Sequence, residues 1–294
     1  MSPLKKKEAK SAYLFLLPSF LLFVLFVVIP TVSVVVLSFC KYDIINPPQF
    51  IGIENYMSLG DDRVLGASAR NTVVMAVFSV TFIIIFSLIL ALLLNNRMGK
   101  ITTYFIRLFY FFPVIVSPVY IALIWVEFLA TDTGVINYYL NVLGLPSVPW
   151  LTNVHVAIIT IIIVEVWRQT GFAMIIFIAG LKNIPMEYYE AASIDGANFI
   201  QTSFRITIPL LSPTILFNLI IIAINELKLF AIPNLMTEGG PFDSTRTVAM
   251  YIYNSAFLQF KMGYASTVSV LFIIVIFALT ALQMWLSKKW VHYV

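Results

Sequence analysis

The chain has 294 residues, 61% of them hydrophobic and 11% charged, with a formal net charge of +4. A mean hydropathy of +0.96 excludes an ordinary soluble domain. The single cysteine, Cys40, excludes an internal disulfide, the two distant histidines, His155 and His292, offer no metal motif, and basic residues gathered at the flanks of apolar runs argue against a nucleic-acid partner.

About 20 apolar residues in a helix cross the hydrocarbon core. Lipid offers the backbone no hydrogen-bond partner, which leaves helices or a closed barrel. The apolar runs are continuous rather than alternating, so helices are predicted. The first run, 12–39, follows Lys5, Lys6, Lys7 and Lys10. It is too long for a signal-peptide core and ends in no small-residue cleavage site, so it reads as a retained span. Residues 40–69, with Pro47, Pro48, Gly52 and Gly60, read as an ordered loop. Spans two and three are predicted at 71–94 and 104–129. Segment 131–153 has room for a short surface helix over Val135–Leu143. Span four covers 154–181 and span five 206–233. In segment 234–264, Gly239–Gly240–Pro241 forces a turn, and "YIYNSAFLQF" suits an interfacial helix. That helix is either a membrane anchor or a lid or docking surface. The sixth span is 265–286. The expected fold is therefore all-α and integral to the membrane, with six transmembrane helices: a tail at 1–11 and one transmembrane domain over 12–294.

Orientation follows Lys and Arg. With the N-terminus inside, Lys5, Lys6, Lys7, Lys10, Arg97, Lys100, Arg107, Lys182, Arg205, Lys288 and Lys289 lie inside, against Lys41, Arg63, Arg70, Arg246 and Lys261 outside. Eleven against five places both ends in the cytoplasm.

The cytoplasmic segment "EYYEAASIDGANFIQTSFRITIP", Glu187–Pro209, is the polar exception. Pro185 suits a first helical turn, with Asn183 as a candidate cap, and Asp195–Gly196 is a stop signal. Asn198 is positioned to cap a second short helix. Tyr188, Ala191 and Asp195 share one helical face. Either this is a plain connecting elbow, or its small residues admit a partner's backbone.

The stretch resembles the EAA motif of binding-protein-dependent ABC importer permeases. The spacing is Glu190–Ala191–Ala192, three residues, Gly196, nine residues, then Ile206–Thr207–Ile208–Pro209, with Ile208 where the family has Leu. "MTEGGPFDSTRT", "FIGIENY" and "GYAS" are similar to segments of the carbohydrate (maltose-type) subfamily, so the resemblance covers nearly the whole chain. It implies a type I ABC importer permease fold in a bacterial or archaeal cytoplasmic membrane. It implies that the loop at about 182–205 is an ATPase-coupling element, with Glu187, Tyr188, Glu190, Ala191, Ala192, Asp195, Gly196, Ile206 and Pro209 as its site residues. The implied partners are cytoplasmic ATPase subunits, two in number, a second homologous permease, an extracytoplasmic solute-binding protein and a carbohydrate. No Gly-x-x-x-x-Gly-Lys-Ser/Thr loop occurs in the sequence, so ATP and magnesium are expected on the partner ATPase, with no cofactor on this chain and no catalysis by it.

Charges within spans are candidate functional groups because burying them is costly. Glu165 has Arg168 at i+3, which allows a simple intrahelical pair. Glu226 and Lys228, at i and i+2, cannot face each other. Thr214, Asn218 and Asn225 form one stripe, which reads either as the wall of a wet cavity or as interhelical hydrogen bonding. Trp167 and Gln169 extend a possible wall. The candidate substrate path is thus Glu165, Trp167, Gln169, Asn218, Asn225, Glu226 and Lys228. The competing function is an ion- or proton-coupled secondary transporter, with Glu165 or Glu226 as proton site. Such carriers often carry two similar halves, and no convincing repeat is visible.

Overall fold

The computed structural model describes residues 3–96 and 99–291, so Arg97 and His292 lie outside it. The described chain separates into two compact units, residues up to Asp62 with Ile252–Ile274, and Arg63–Tyr251 with Val275 onward.

In the first unit, α1 (Pro3–Phe23) passes through a π-turn at Val24–Val28 into α2 (Ile29–Leu37), and Ala12–Leu37 makes one 26-residue apolar span. The turn sits just before Pro30, which has no N–H to return to Phe26. Beyond it, β1 (Cys40–Lys41) pairs antiparallel with β2 (Gln49–Phe50), followed by α3 (Glu54–Met57). At the tip between the strands, the backbone N–H and side-chain amide of Asn46 both donate to Asp43, each at 2.8 Å. Those bonds hold the Asp43 carboxyl below its usual range. The loop is anchored by the Asn55 amide, which donates to the carbonyls of Ser38 and Cys40 at 3.0 Å. The Thr267 hydroxyl donates to the same Ser38 carbonyl. Gly263 is required here, because the Cys40 carbonyl occupies the space of a Cβ.

The second unit runs through α4 (Arg63–Asn96), α5 (Lys100–Ile115), α6 (Pro118–Phe128), α7 (Val135–Val142) and α8 (Val154–Lys182). It continues through α9 (Met186–Ile194), α10 (Phe199–Thr202), α11 (Ile208–Leu210), α12 (Ser212–Leu227) and α13 (Ala231–Met236). Helices α14 (Val248–Tyr253) and α15 (Met262–Ser287) contribute to both units. Helix α8 is the core: α4, α5 and α12 all pack on it, and Ile161, Ala173, Met174 and Phe177 have no exposed surface. Small residues set the approach. The Tyr110 carbonyl of α5 fills the place of a Cβ on Gly171, and Thr214 and Leu211 crowd Gly180.

Five helices among the described residues are long and apolar enough to span a membrane, and there are six if one bent pair counts as a single span. That pair corrects the reading of 104–129 as one continuous helix. Ile101–Ile115 and Pro118–Phe128 diverge by 108°. Ser117, forced out of helical geometry by Pro118, sits at φ −57° and ψ 137° and caps α6 instead.

Span five also differs from its expected continuous form over 206–233. Helix α12 starts at Ser212 and stops at Leu227, and α13 restarts at Ala231. Pro233 cannot donate to the Leu229 carbonyl, and the Thr247 hydroxyl takes that place at 2.7 Å. Pro213 likewise cannot serve the Pro209 carbonyl, which accepts from the Ser212 hydroxyl at 2.6 Å. Prolines are tolerated in a span when hydroxyls re-satisfy the freed carbonyls.

The segments between spans are ordered by side-chain amides. Asn137 in α7 donates to the carbonyls of Thr131 and Val148 and accepts from the Val148 N–H and the Trp150 indole. The Asn71 amide donates to the carbonyls of Asp243 and Arg246, and Thr72 accepts from the Val248 N–H. The glycine–proline turn at 239–241 forms as expected, with Gly239 at φ 85°. The aromatic stretch following it is helical, with Tyr251 buried and Tyr253, Phe257 and Leu258 exposed.

Candidate functional site

Two separate places gather the candidate residues: an elbow between α8 and α12, and a cavity beside α8.

The elbow is built by local rules. Pro185 stands as N-cap of α9, and Asn183 ends α8 rather than capping α9, which corrects its assigned place. Asp195 closes α9. The Ala197 N–H then bonds the Ala192 carbonyl at 2.9 Å and the Gly196 N–H bonds the Ser193 carbonyl at 3.2 Å, which is a Schellman ending. Gly196 takes φ 74°, the left-handed conformation that glycine adopts without strain. Asn198 and Gln201 form a reciprocal capping box at the start of α10. The elbow presents Glu187, Tyr188, Glu190, Ala191, Asp195 and Gly196 to the surface. Ala192 turns inward and is buried, so the two alanines do different work. Ile206 lies in a π-turn, Ser203–Thr207, and Pro209 follows in α11.

The cavity, about 510 Å³, lies where two broken spans meet α8. Val114 and Pro118 come from the bend between α5 and α6, residues 228–232 from the break between α12 and α13, and Glu165–Phe172 from α8. Non-helical backbone at membrane depth is tolerated where it lines a cavity. Four of the sequence candidates are in its wall: Glu165, Gln169, Asn225 and Lys228. Glu165 has no exposed surface, and its Oε2 accepts from Arg168 Nε at 2.9 Å and Nη2 at 2.7 Å. The Arg168 side chain keeps 16% of its surface exposed. Asn225 and Lys228, one helical turn apart, are exposed.

Three candidates lie elsewhere. Asn218 is fully buried and donates to the Ala173 carbonyl of α8 at 3.3 Å, so the expected shared stripe divides into one packing amide and one cavity amide. Trp167 packs edge-on against Phe109 and Trp125 and lines a second, apolar groove with Phe78, Phe82 and Phe86 of α4. Glu226 is buried near Ser79, Gln169 and the Glu165–Arg168 pair, and both its carboxylate oxygens lack a hydrogen bond. Sequence reasoning missed Phe172, Phe230 and buried Ser79. The proline at 233, placed to break the helix at 229, was the available signal for Phe230.

Broken spans around a polar cavity, with a capped polar elbow at one end, define a membrane transport subunit. Residues 83–292 match the family described as the binding-protein-dependent transport system inner membrane component. The chain is 35% identical over 293 residues to the lactose transport system permease protein LacF of Rhizobium radiobacter, covering 98% of this chain and 97% of that protein. It is 34% identical over 275 residues to the sulfoquinovosyl glycerol transport system permease protein SmoG of Agrobacterium fabrum, covering 93% and 89%. Its fold superposes with a TM-score of 0.87 and 25% identity, over 96% of both chains, on a chain of a bacterial alginate ABC transporter crystallised with an alginate pentasaccharide-bound periplasmic protein. The chain belongs to the family of inner-membrane permease components of binding-protein-dependent ABC transport systems. It is a non-enzymatic permease subunit, and the secondary-transporter alternative is not favoured.

Proposed function

We propose that this chain forms, with a second permease, the translocation path for a carbohydrate delivered by an extracytoplasmic solute-binding protein. The observation that carries the substrate class is the cavity wall: amides of Gln169 and Asn225, charged groups and the rings of Phe172 and Phe230 around about 510 Å³, a volume suited to a small ligand. The functions of the two relatives, lactose and sulfoquinovosyl glycerol transport, agree with it. The α9–α10 elbow faces the cytoplasm and seats in a cleft of one of two ATPase subunits, which bind ATP and magnesium. Tyr188, Glu190 and Ala191 contact the ATPase, Ala192 and Gly196 hold the elbow's shape, and both chain ends are cytoplasmic. The basic-residue asymmetry supports this orientation.

Uptake of sugar by proteoliposomes holding the assembled complex tests the proposal. Uptake is expected only with ATP and the binding protein present. Uptake driven by an ion gradient without ATP would overturn it.

A further inference from the structure

The charges in the cavity wall do not balance from a ligand's point of view. Three ionisable side chains line it: Glu165, Arg168 and Lys228. The Glu165 carboxylate has no exposed surface, and its Oε2 is taken by two Arg168 nitrogens. Its other oxygen, Oε1, is buried and has no hydrogen-bond partner. A ligand therefore meets no carboxylate. It meets the partly exposed Arg168 side chain, whose Nη1 donors take no part in the bonds to Glu165.

Lys228 is the second cation. It is exposed, and it makes no ion pair among the described residues. It stands at the C-terminal end of α12, as the residue that closes the helix. The C-terminal end of a helix is the negative end of its dipole, which favours a cation there. An ammonium at membrane depth without a counter-ion is costly, and such residues mark ligand pathways. The nearby carboxylate of Glu226, two residues back, is buried and makes no ion pair with it. The Asn225 amide lies one turn before Lys228, and Phe172 and Phe230 supply apolar ring surface in the same wall.

Resting on the carbohydrate reading above, we infer that the cavity takes a carboxylate-bearing saccharide, its acid group held between Lys228 and Arg168 and its hydroxyls by Gln169 and Asn225. A planar guanidinium edge and a carboxylate match in geometry, and the ammonium adds a point charge. A neutral sugar of the same size would leave Lys228 without a counter-ion and the Arg168 Nη1 donors without an anionic partner.

The test uses proteoliposomes of the assembled complex with its binding protein. The probes are di-, tri- and tetragalacturonates and their carboxyl-reduced, neutral counterparts, alongside neutral gluco-oligosaccharides. The acidic members should be taken up in preference to the neutral ones. Lys228→Gln should reduce that preference roughly ten- to hundredfold, as expected for one charge-assisted hydrogen bond. Lys228→Arg should restore it. Preference for neutral members, or an unchanged preference in Lys228→Gln, overturns the inference while leaving the carbohydrate reading intact. So does a Lys228→Gln complex that loses its second permease, because Lys228 would then pair with that subunit. Failure to carry any saccharide removes the carbohydrate reading itself.

Discussion

Removing the Arg168 guanidinium should destabilise the second unit by several kcal/mol, and the geometry sets the size. Glu165 has no exposed surface, its Oε2 depends wholly on Arg168, and its Oε1 already lacks a partner. In Arg168→Ala the carboxylate would lose every hydrogen bond while staying inside the helix packing. Breaking a buried pair by taking one partner costs about 3–5 kcal/mol. That is roughly two to three and a half decades in the folding equilibrium. Taking both away is a different experiment, since replacing a buried pair by apolar side chains of similar size is often neutral. Arg168→Ala should therefore be much less stable than Glu165→Leu with Arg168→Leu together. Equilibrium unfolding of the purified chain in mixed detergent, followed by tryptophan fluorescence, measures both. A single variant within about 1 kcal/mol of the wild type, or a double variant no better than the single, would show that water or lipid headgroups already serve the carboxylate.

Ala191→Leu should abolish substrate-stimulated ATP hydrolysis by the purified complex while leaving the chain's own stability unchanged. Ala192→Leu should instead destabilise the elbow by about 1–3 kcal/mol through overpacking, read by thermal unfolding. Gly196→Val places a β-branched residue at φ 74°, costing about 1 kcal/mol or more, and should lower ATPase association measured by co-purification. Gly171→Ala puts a methyl into the Tyr110 carbonyl, so α5 and α8 must part, and a loss of about 1–3 kcal/mol is expected in detergent unfolding. Asn137→Ala removes the hub of four hydrogen bonds that tie α7 to Thr131, Val148 and Trp150; about 2–4 kcal/mol of local stability should go, seen as faster hydrogen exchange at the Val148 N–H. Cysteines introduced at Asp61 and Asp243 in a Cys40→Ser background should label from outside and one at Asn95 should not; the reverse pattern would invert the proposed topology.

The sequence by itself determined the membrane class, the number of apolar runs and the elbow. Those rest on short-range rules: about 20 apolar residues in a row must be helical in lipid, and Pro185, Asp195–Gly196 and Asn198 act on neighbours within a turn. The glycine turn at 239–241 and the helix after Gly134 were legible for the same reason. Even the proline breaks at 118 and 233 were written in the chain, although a hydropathy window passes over them. What only the tertiary structure decided is which polar group faces what. Asn218 and Asn225 lie within about 20° on a helical wheel. One is nevertheless buried against Ala173 and the other opens to a cavity, because the facing surface is packed α8 at one level and a broken span at another. Likewise Ala191 and Ala192 differ in exposure through the fold beneath α9, and Ser79 is placed near Glu226 by helix packing across 147 positions of sequence. Periodicity assigns a residue to a side of its own helix. The neighbour on that side is set by long-range packing, which no local pattern encodes.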